Sequence, residues 1–241
     1  MSERPIHPKI FEESLPAWHR IFIEDFRTFK IKRIVWDLDE TLGDTQAVVK
    51  EEFDLIAGTN YKDRILDRFD GLSHWAHEDG VMTFEEAHEL ESRLWTSEDI
   101  LGWVKPFHGI QVYSRDADKN DVEQFVVTSR TGRLDKVTFA WSLIHYPWIP
   151  RENVRITTNR DVRYDFEFKV SETGLIEPEA VVDDNNDHIL MMLKNAPSKT
   201  RFVWLARLRD TSVADDKRVL AVPGGARQFS RLVSHNLDTL A

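Results

Sequence analysis

Three short apolar runs, each stopping abruptly on carboxylates or hydroxyls, do most to restrict how this chain can fold. The first, Ile31-Lys32-Arg33-Ile34-Val35-Trp36, ends on Asp37-Leu38-Asp39-Glu40-Thr41-Leu42. The second, Phe125-Val126-Val127, runs into Thr128-Ser129-Arg130-Thr131-Gly132-Arg133, and the third, Ala180-Val181-Val182, into Asp183-Asp184-Asn185-Asn186-Asp187. Runs of this length and composition read as buried strands. In an open α/β sheet, ligands bind in the crevice outside the carboxyl ends of the strands, so chemistry is expected where these polar ends gather. Two separate strands ending on acids are harder to ascribe to chance than one.

The intervals between the runs carry helical patterns. Phe11, Leu15, Trp18, Phe22, Phe26 and Phe29 recur at three- and four-residue steps, predicting an N-terminal helical segment over 1–30 that packs on the core. From 44 to 105 the apolar groups Phe53–Ile56, Ile65–Phe69, Phe84–Leu90 and Leu94–Leu101 predict short helices separated by Gly58, Gly71 and Gly80. A helical insertion there, directly after the first acidic strand end, would lie over that edge as a lid. Core structure is expected over 31–43 and 106–241: a short helix at Ile110–Asp116, then one over Leu134–Ile144 presenting Val137, Ala140, Trp141 and Ile144 to the sheet. Strands are expected at Val154–Thr157 and Arg201–Leu205, with a helix from Asp187 and a closing helix in the tail from Pro223 to Leu240, marked by Phe229, Leu232, Val233 and Leu237. Strand and helix alternate, so the predicted class is α/β, a doubly wound, mostly parallel Rossmann-like sheet.

Composition narrows the function. The 241 residues include no cysteine, which excludes disulfides, thiolate catalysis and thiolate metal sites. A net charge of -10 argues against a general grip on nucleic acid, whose backbone is held by Lys and Arg. The first residues lack the order of a secretory signal, and no apolar run is long enough to span a bilayer, so a soluble cytoplasmic protein is expected.

Asp37 and Asp39 reach one small volume where the chain leaves the strand. One carboxylate there can attack phosphorus while its neighbour protonates the leaving oxygen and later activates water. Like charges this close either push one carboxyl's pKa upward or recruit a cation, and magnesium suits hard oxygen ligands shared with phosphate. At the second strand end, the hydroxyls of Thr128 and Ser129 and the fork of Arg130 or Arg133 can receive an oxyanion, or the hydroxyls can simply cap the next helix. His74 and His77 have a spacing that permits a shared metal, but no third ligand stands at a telling distance, which favours ordinary surface histidines with His88.

These motifs, in this order, resemble the haloacid dehalogenase (HAD) superfamily, and specifically its phosphatase branch. The resemblance spans Val35 to Asp187 and leaves out the insertion. Its first motif, Asp-x-Asp-x-Thr, is matched by Asp37-Leu38-Asp39-Glu40-Thr41, which implies Asp37 as nucleophile and Asp39 as general acid/base, with the Asp39 backbone carbonyl on magnesium. Thr128 matches the second motif and would bond the transferred phosphoryl group. Lys169 is the choice for the lone basic residue of the third, with Lys136 and Arg160 as alternatives. Asp183-Asp184 matches the fourth, so the implied metal set is Asp37, Asp39 and Asp183, with Asp184 and Asp187 as further candidates. The activity implied is magnesium-dependent hydrolysis of a small phosphorylated substrate, with a helical cap over the site. Two alternatives share the motifs: a phosphatase for nucleotides or nucleic-acid ends, using Trp75 or Trp95 to stack bases, and a non-catalytic binding module on the same fold.

Overall fold

The computed structural model describes residues 7–62, 64–66, 70–130, 132–156, 178–194, 196–206 and 216–234. Six strands, β1 (Arg33–Trp36), β2 (Glu123–Thr128), β3 (Val154–Ile156), β4 (Ala180–Asp183), β5 (Arg201–Trp204) and β6 (Val219–Ala221), form one sheet in the order β3-β2-β1-β4-β5-β6. Every pairing is parallel. The chain steps outward from β1 to β2 and β3, then returns to lay β4 on the other side of β1. That reversal opens a crevice beside the carboxyl end of β1, the place where such sheets bind ligands.

Side chains alternate across the strands, so β1, β2, β4, β5 and β6 each feed two cores. Ile34, Trp36, Val126, Val182 and Val203 join the larger cluster, whereas Val35, Phe125, Val127, Val181 and Phe202 join the smaller one on the opposite face. Because both faces are covered, β1 and β4 are apolar at nearly every position, as parallel strands are.

Among the described residues there are ten α-helices. The N-terminal pair, α1 (Pro8–Ser14) and α2 (Ala17–Arg27), buries Phe11, Phe22, Ile23 and Phe26. Pro16 is the N-cap of α2, where its missing N–H costs nothing. Trp18, read as part of the apolar face, is instead 47% exposed, with the Lys217 ammonium 5.4 Å from its ring centre.

Between β1 and β2 come α3 (Thr45–Ala57), α4 (Gly71–Glu78), α5 (Phe84–Trp95), α6 (Glu98–Gly102) and α7 (His108–Lys119). The apolar faces of α3 to α6 build a third cluster that includes Val49, Phe53, Leu72, Leu90 and Leu94. A reciprocal capping box of Thr83 and Glu86 starts α5, and Gly58, in the left-handed region at φ 69°, ends α3. Gly71 begins α4 rather than separating helices, because Glu91 supplies the carboxylate for that helix start: its Oε2 accepts from the Ser73 amide at 2.9 Å. Ile65 and Leu66 are not helical, and 67–69 lie outside the described residues.

After β2, α8 (Asp135–His145) buries Thr138, Trp141 and Ser142. This corrects the expected face: Ile144 is 71% exposed. The Trp141 indole N–H donates to the Val104 carbonyl at 2.7 Å, and that polar bond sets the rotation of α8 in a way apolar periodicity does not register. Of the last helices, α9 (Asn186–Leu193) packs on β4 and β5, and α10 (Gly225–Val233) packs on α7, α1 and α2. No helix among the described residues is long and apolar enough to cross a membrane.

Candidate active site

Asp37 continues the β1 ladder, donating its N–H to the Val182 carbonyl at 2.9 Å. Trp36 pairs with Val182, so Asp37 stands level with Asp183, and in-register residues on adjacent parallel strands point the same way. Asp184 follows in the loop. One carboxylate oxygen from each of Asp37, Asp183 and Asp184 lies within 4.8 Å of the others. Asp37 and Asp183 are buried at 6% and 0% exposure. Asp183 is oriented by its own loop: its Oδ1 accepts from the Asn185 amide at 2.7 Å, and its Oδ2 stands 3.4 Å from His188 Nδ1. At an effective dielectric near 20, unit charges this close repel by roughly 3 kcal/mol a pair. A set of three hard, largely buried carboxylates therefore suits a divalent cation that prefers oxygen.

Asp39 stands apart from that set. The chain turns sharply after it, with Glu40 in the left-handed region at φ 59°, a conformation uncommon outside glycine and asparagine. The Glu40 carboxylate accepts from the Gln46 amide at 2.5 Å, and the Glu40 N–H donates to the Gly43 carbonyl at 2.8 Å, so the turn is closed on itself. Asp39 Oδ1 accepts from Arg130 Nη2 at 2.7 Å and from the Thr45 hydroxyl at 2.6 Å, while its Oδ2 accepts from Arg130 Nε at 3.1 Å. The guanidinium fork that the sequence offered to an oxyanion thus holds a carboxylate of the chain itself.

Thr128, the last residue of β2, is 1% exposed, and its Oγ1 accepts from the Arg130 amide at 3.4 Å. Continuing the register from Trp36 and Val126 sets Thr128 beside Leu38. Ser129 follows and is exposed. Asp187 is also exposed, in the first turn of α9, where its amide donates to Asn185 Oδ1 at 2.9 Å, and it is not part of the acidic group. Lys169 and Arg160 lie outside the described residues, and Lys136 is an exposed residue of α8. The Thr41 hydroxyl is fully buried and has no hydrogen-bond partner among the described residues.

A cleft of about 840 Å³ borders the site, lined by Glu40, Asp44, Lys50, Lys62, Asp184 and Arg227 among others. Its walls come from the turn after β1, from α3 with the segment behind it, and from the start of α10. Trp75 and Trp95, the candidates for base stacking, pack at the edge of the cluster formed by α3 to α6. His74, His77 and His88 surround the Phe84 ring, and among the described residues no group of potential ligands includes them.

The pairing of Arg130 and Thr45 with Asp39 is what sequence reasoning missed. The available signal was that Arg130 lies two residues beyond the end of the strand next to the one that carries the acids.

No protein-family model matches the sequence, and no match is found among curated proteins. Solved structures match by fold. The Bacillus subtilis protein YfnB, described as a HAD-hydrolase and bound to magnesium, aligns with a TM-score of 0.51 over 84% of this chain and 98% of its own, at 11% identity. A HAD-superfamily hydrolase of subfamily IA from Geobacter sulfurreducens aligns over 85% of this chain and 97% of its own, with a TM-score of 0.47 and 15% identity. Likeness at this level is one of architecture. The chain has the Rossmann-like fold of the HAD hydrolases, as its motifs led one to expect.

Proposed function

We propose that this protein is a magnesium-dependent phosphatase that hydrolyses a small phosphate monoester through an aspartyl-phosphate on Asp37. The observation that carries this reading is the meeting of Asp37, Asp183 and Asp184 within 4.8 Å at the carboxyl edge of the sheet. Asp37 attacks phosphorus in line, forming a P–O bond as the bond to the ester oxygen breaks. Asp39 gives a proton to the departing alcohol, then takes one from the water that hydrolyses the aspartyl-phosphate. Thr128 and Ser129 donate hydroxyl hydrogen bonds to the phosphoryl oxygens, and Lys169 supplies a countercharge. Asp37, Asp183 and Asp184 are the residues that would hold magnesium, which supplies charge neutralisation for the crowded carboxylates and the phosphoryl oxygens. Helices α3 to α6 act as the cap, excluding water and selecting the alcohol through the cleft side chains.

The test is release of phosphate from p-nitrophenyl phosphate and from a panel of phosphorylated metabolites, with magnesium or with a chelator. Wild type is expected to turn over only with the metal. Asp37→Asn should lose activity by roughly three orders of magnitude or more while melting near the wild-type temperature. No release from any ester in the presence of magnesium overturns the reading, as does substantial turnover by Asp37→Asn.

A further inference from the structure

We infer that Arg130 is a positioning residue for Asp39, a role that rests on the phosphatase reading above and adds a member to its machinery. Arg130 lies two residues beyond β2, with its side chain only 3% accessible. Its Nη2 and Nε meet the two oxygens of Asp39 at 2.7 and 3.1 Å. Two roughly parallel N–H···O bonds fix the plane of a carboxylate as well as its distance, which a single-point cation does not do. The fork is itself held in place, since Nη1 reaches Thr138 Oγ1 on α8 at 3.4 Å. The Thr45 hydroxyl, from the first residue of α3, donates to Asp39 Oδ1 at 2.6 Å.

What this cradle prevents is as informative as what it holds. Asp39 stands two residues from Asp37, on a tight turn, and Asp37 belongs to the three carboxylates suited to a divalent cation. A side chain with two rotatable bonds in that place is drawn toward the same cation. Held by Arg130 and Thr45, its carboxylate stays outside the ligand set and keeps one orientation for proton transfer.

Leaving-group dependence separates positioning of an acid from simple structural support. Nitrophenolate departs without a proton, whereas an alkoxide does not, and kcat/KM reports the steps through that departure. The experiment compares p-nitrophenyl phosphate with β-glycerophosphate, with magnesium present, in wild type, Arg130→Gln, Arg130→Lys and Thr45→Val. In Arg130→Gln, kcat/KM is expected to fall roughly 10- to 100-fold further for the alkyl ester than for the aryl ester. Arg130→Lys should not restore the alkyl ester, since an ammonium cannot fork. Thr45→Val removes one donor and leaves the fork, so it should give a smaller selective loss, and it decides the matter if Arg130→Gln does not fold. Equal losses on both esters, no loss on either, or a lysine variant that matches wild type on the alkyl ester overturns the inference. A wild type that cleaves neither these two esters nor any member of the metabolite panel overturns the phosphatase reading and this inference with it.

Discussion

The Asp37 amide donates to the Val182 carbonyl at 2.9 Å, and this one ladder bond sets the Asp37 carboxylate level with that of Asp183 on the next strand. Two acids 146 positions apart in sequence thereby share a single volume, and the sheet, not the local loop, determines their separation.

Asp183 is therefore the position where charge can be removed with least disturbance. Asparagine keeps its size and an acceptor for the Asn185 amide, but relieves the repulsion among the three carboxylates. Without metal, Asp183→Asn should melt higher than wild type by roughly 2–4 °C, the shift expected for about 1 kcal/mol in a domain of this size. Magnesium should raise the melting temperature of wild type more than that of the variant, since stabilisation by a ligand follows its affinity for the native state. Thermal melts with and without magnesium check both outcomes.

Gly43 ties stability to activity. A Cβ there would sit 2.8 Å from Val104 Cγ1 and 3.0 Å from Trp141 Cζ2, and the Gly43 amide donates to Leu38 in the turn that carries Asp39. Gly109 is equally crowded, with Ser230 Cβ at 2.5 Å, but takes no part in the turn that carries Asp39. Both alanine variants should lose about 1–3 kcal/mol in urea unfolding through overpacking. Only Gly43→Ala should also lower kcat, measured on p-nitrophenyl phosphate under conditions where both variants remain folded.

Glu91 gives the helical insertion a pH dependence. Burial pushes its carboxyl above the usual value of 4.5, against the hydrogen bonds from Ser73 that favour the charge. The folded state therefore holds this proton more tightly than the unfolded chain does. Its contribution to stability is complete below about pH 4.5 and is lost as pH rises through the elevated folded value. Glutamine at this position can still accept from Ser73 and has no charge to bury. The melting temperature of Glu91→Gln relative to wild type should rise between pH 4 and pH 7, and a difference that stays flat across that range would count against the assignment.

Arg27 joins three helices. Its guanidinium donates to both oxygens of Glu12 on α1, at 2.9 and 2.6 Å, and its Nε donates to the Leu232 carbonyl on α10 at 2.7 Å. Lysine can satisfy one of these partners but not both, so Arg27→Lys should cost about 1–2 kcal/mol. Urea unfolding checks the cost, and limited proteolysis should show earlier cleavage near α1.

The sheet was legible because β1, β2 and β4 are short apolar runs that stop on polar residues, and the strand ends named the acids directly. The edge strand β6 was not, since Val219–Ala221 offers three residues and no alternation to count. The face of α8 was misjudged because an indole hydrogen bond, not apolar spacing, sets its rotation. At the site, the sequence supplied Asp37, Asp183 and Asp184 but could not show what holds Asp39, as Arg130 is 91 positions away and its partner is a matter of folded geometry.

The bridge between Gly43 and Pro106, with the Asp44 amide on the Lys105 carbonyl and the Phe107 amide on the Leu42 carbonyl, means that the chain leaves for the helical insertion and comes back through one doorway. The 62 residues from 44 to 105 can thus be lengthened, shortened or exchanged without asking any strand to move. Within that stretch Thr45, which reaches back to Asp39, ties the insertion to the turn after β1 by its side chain.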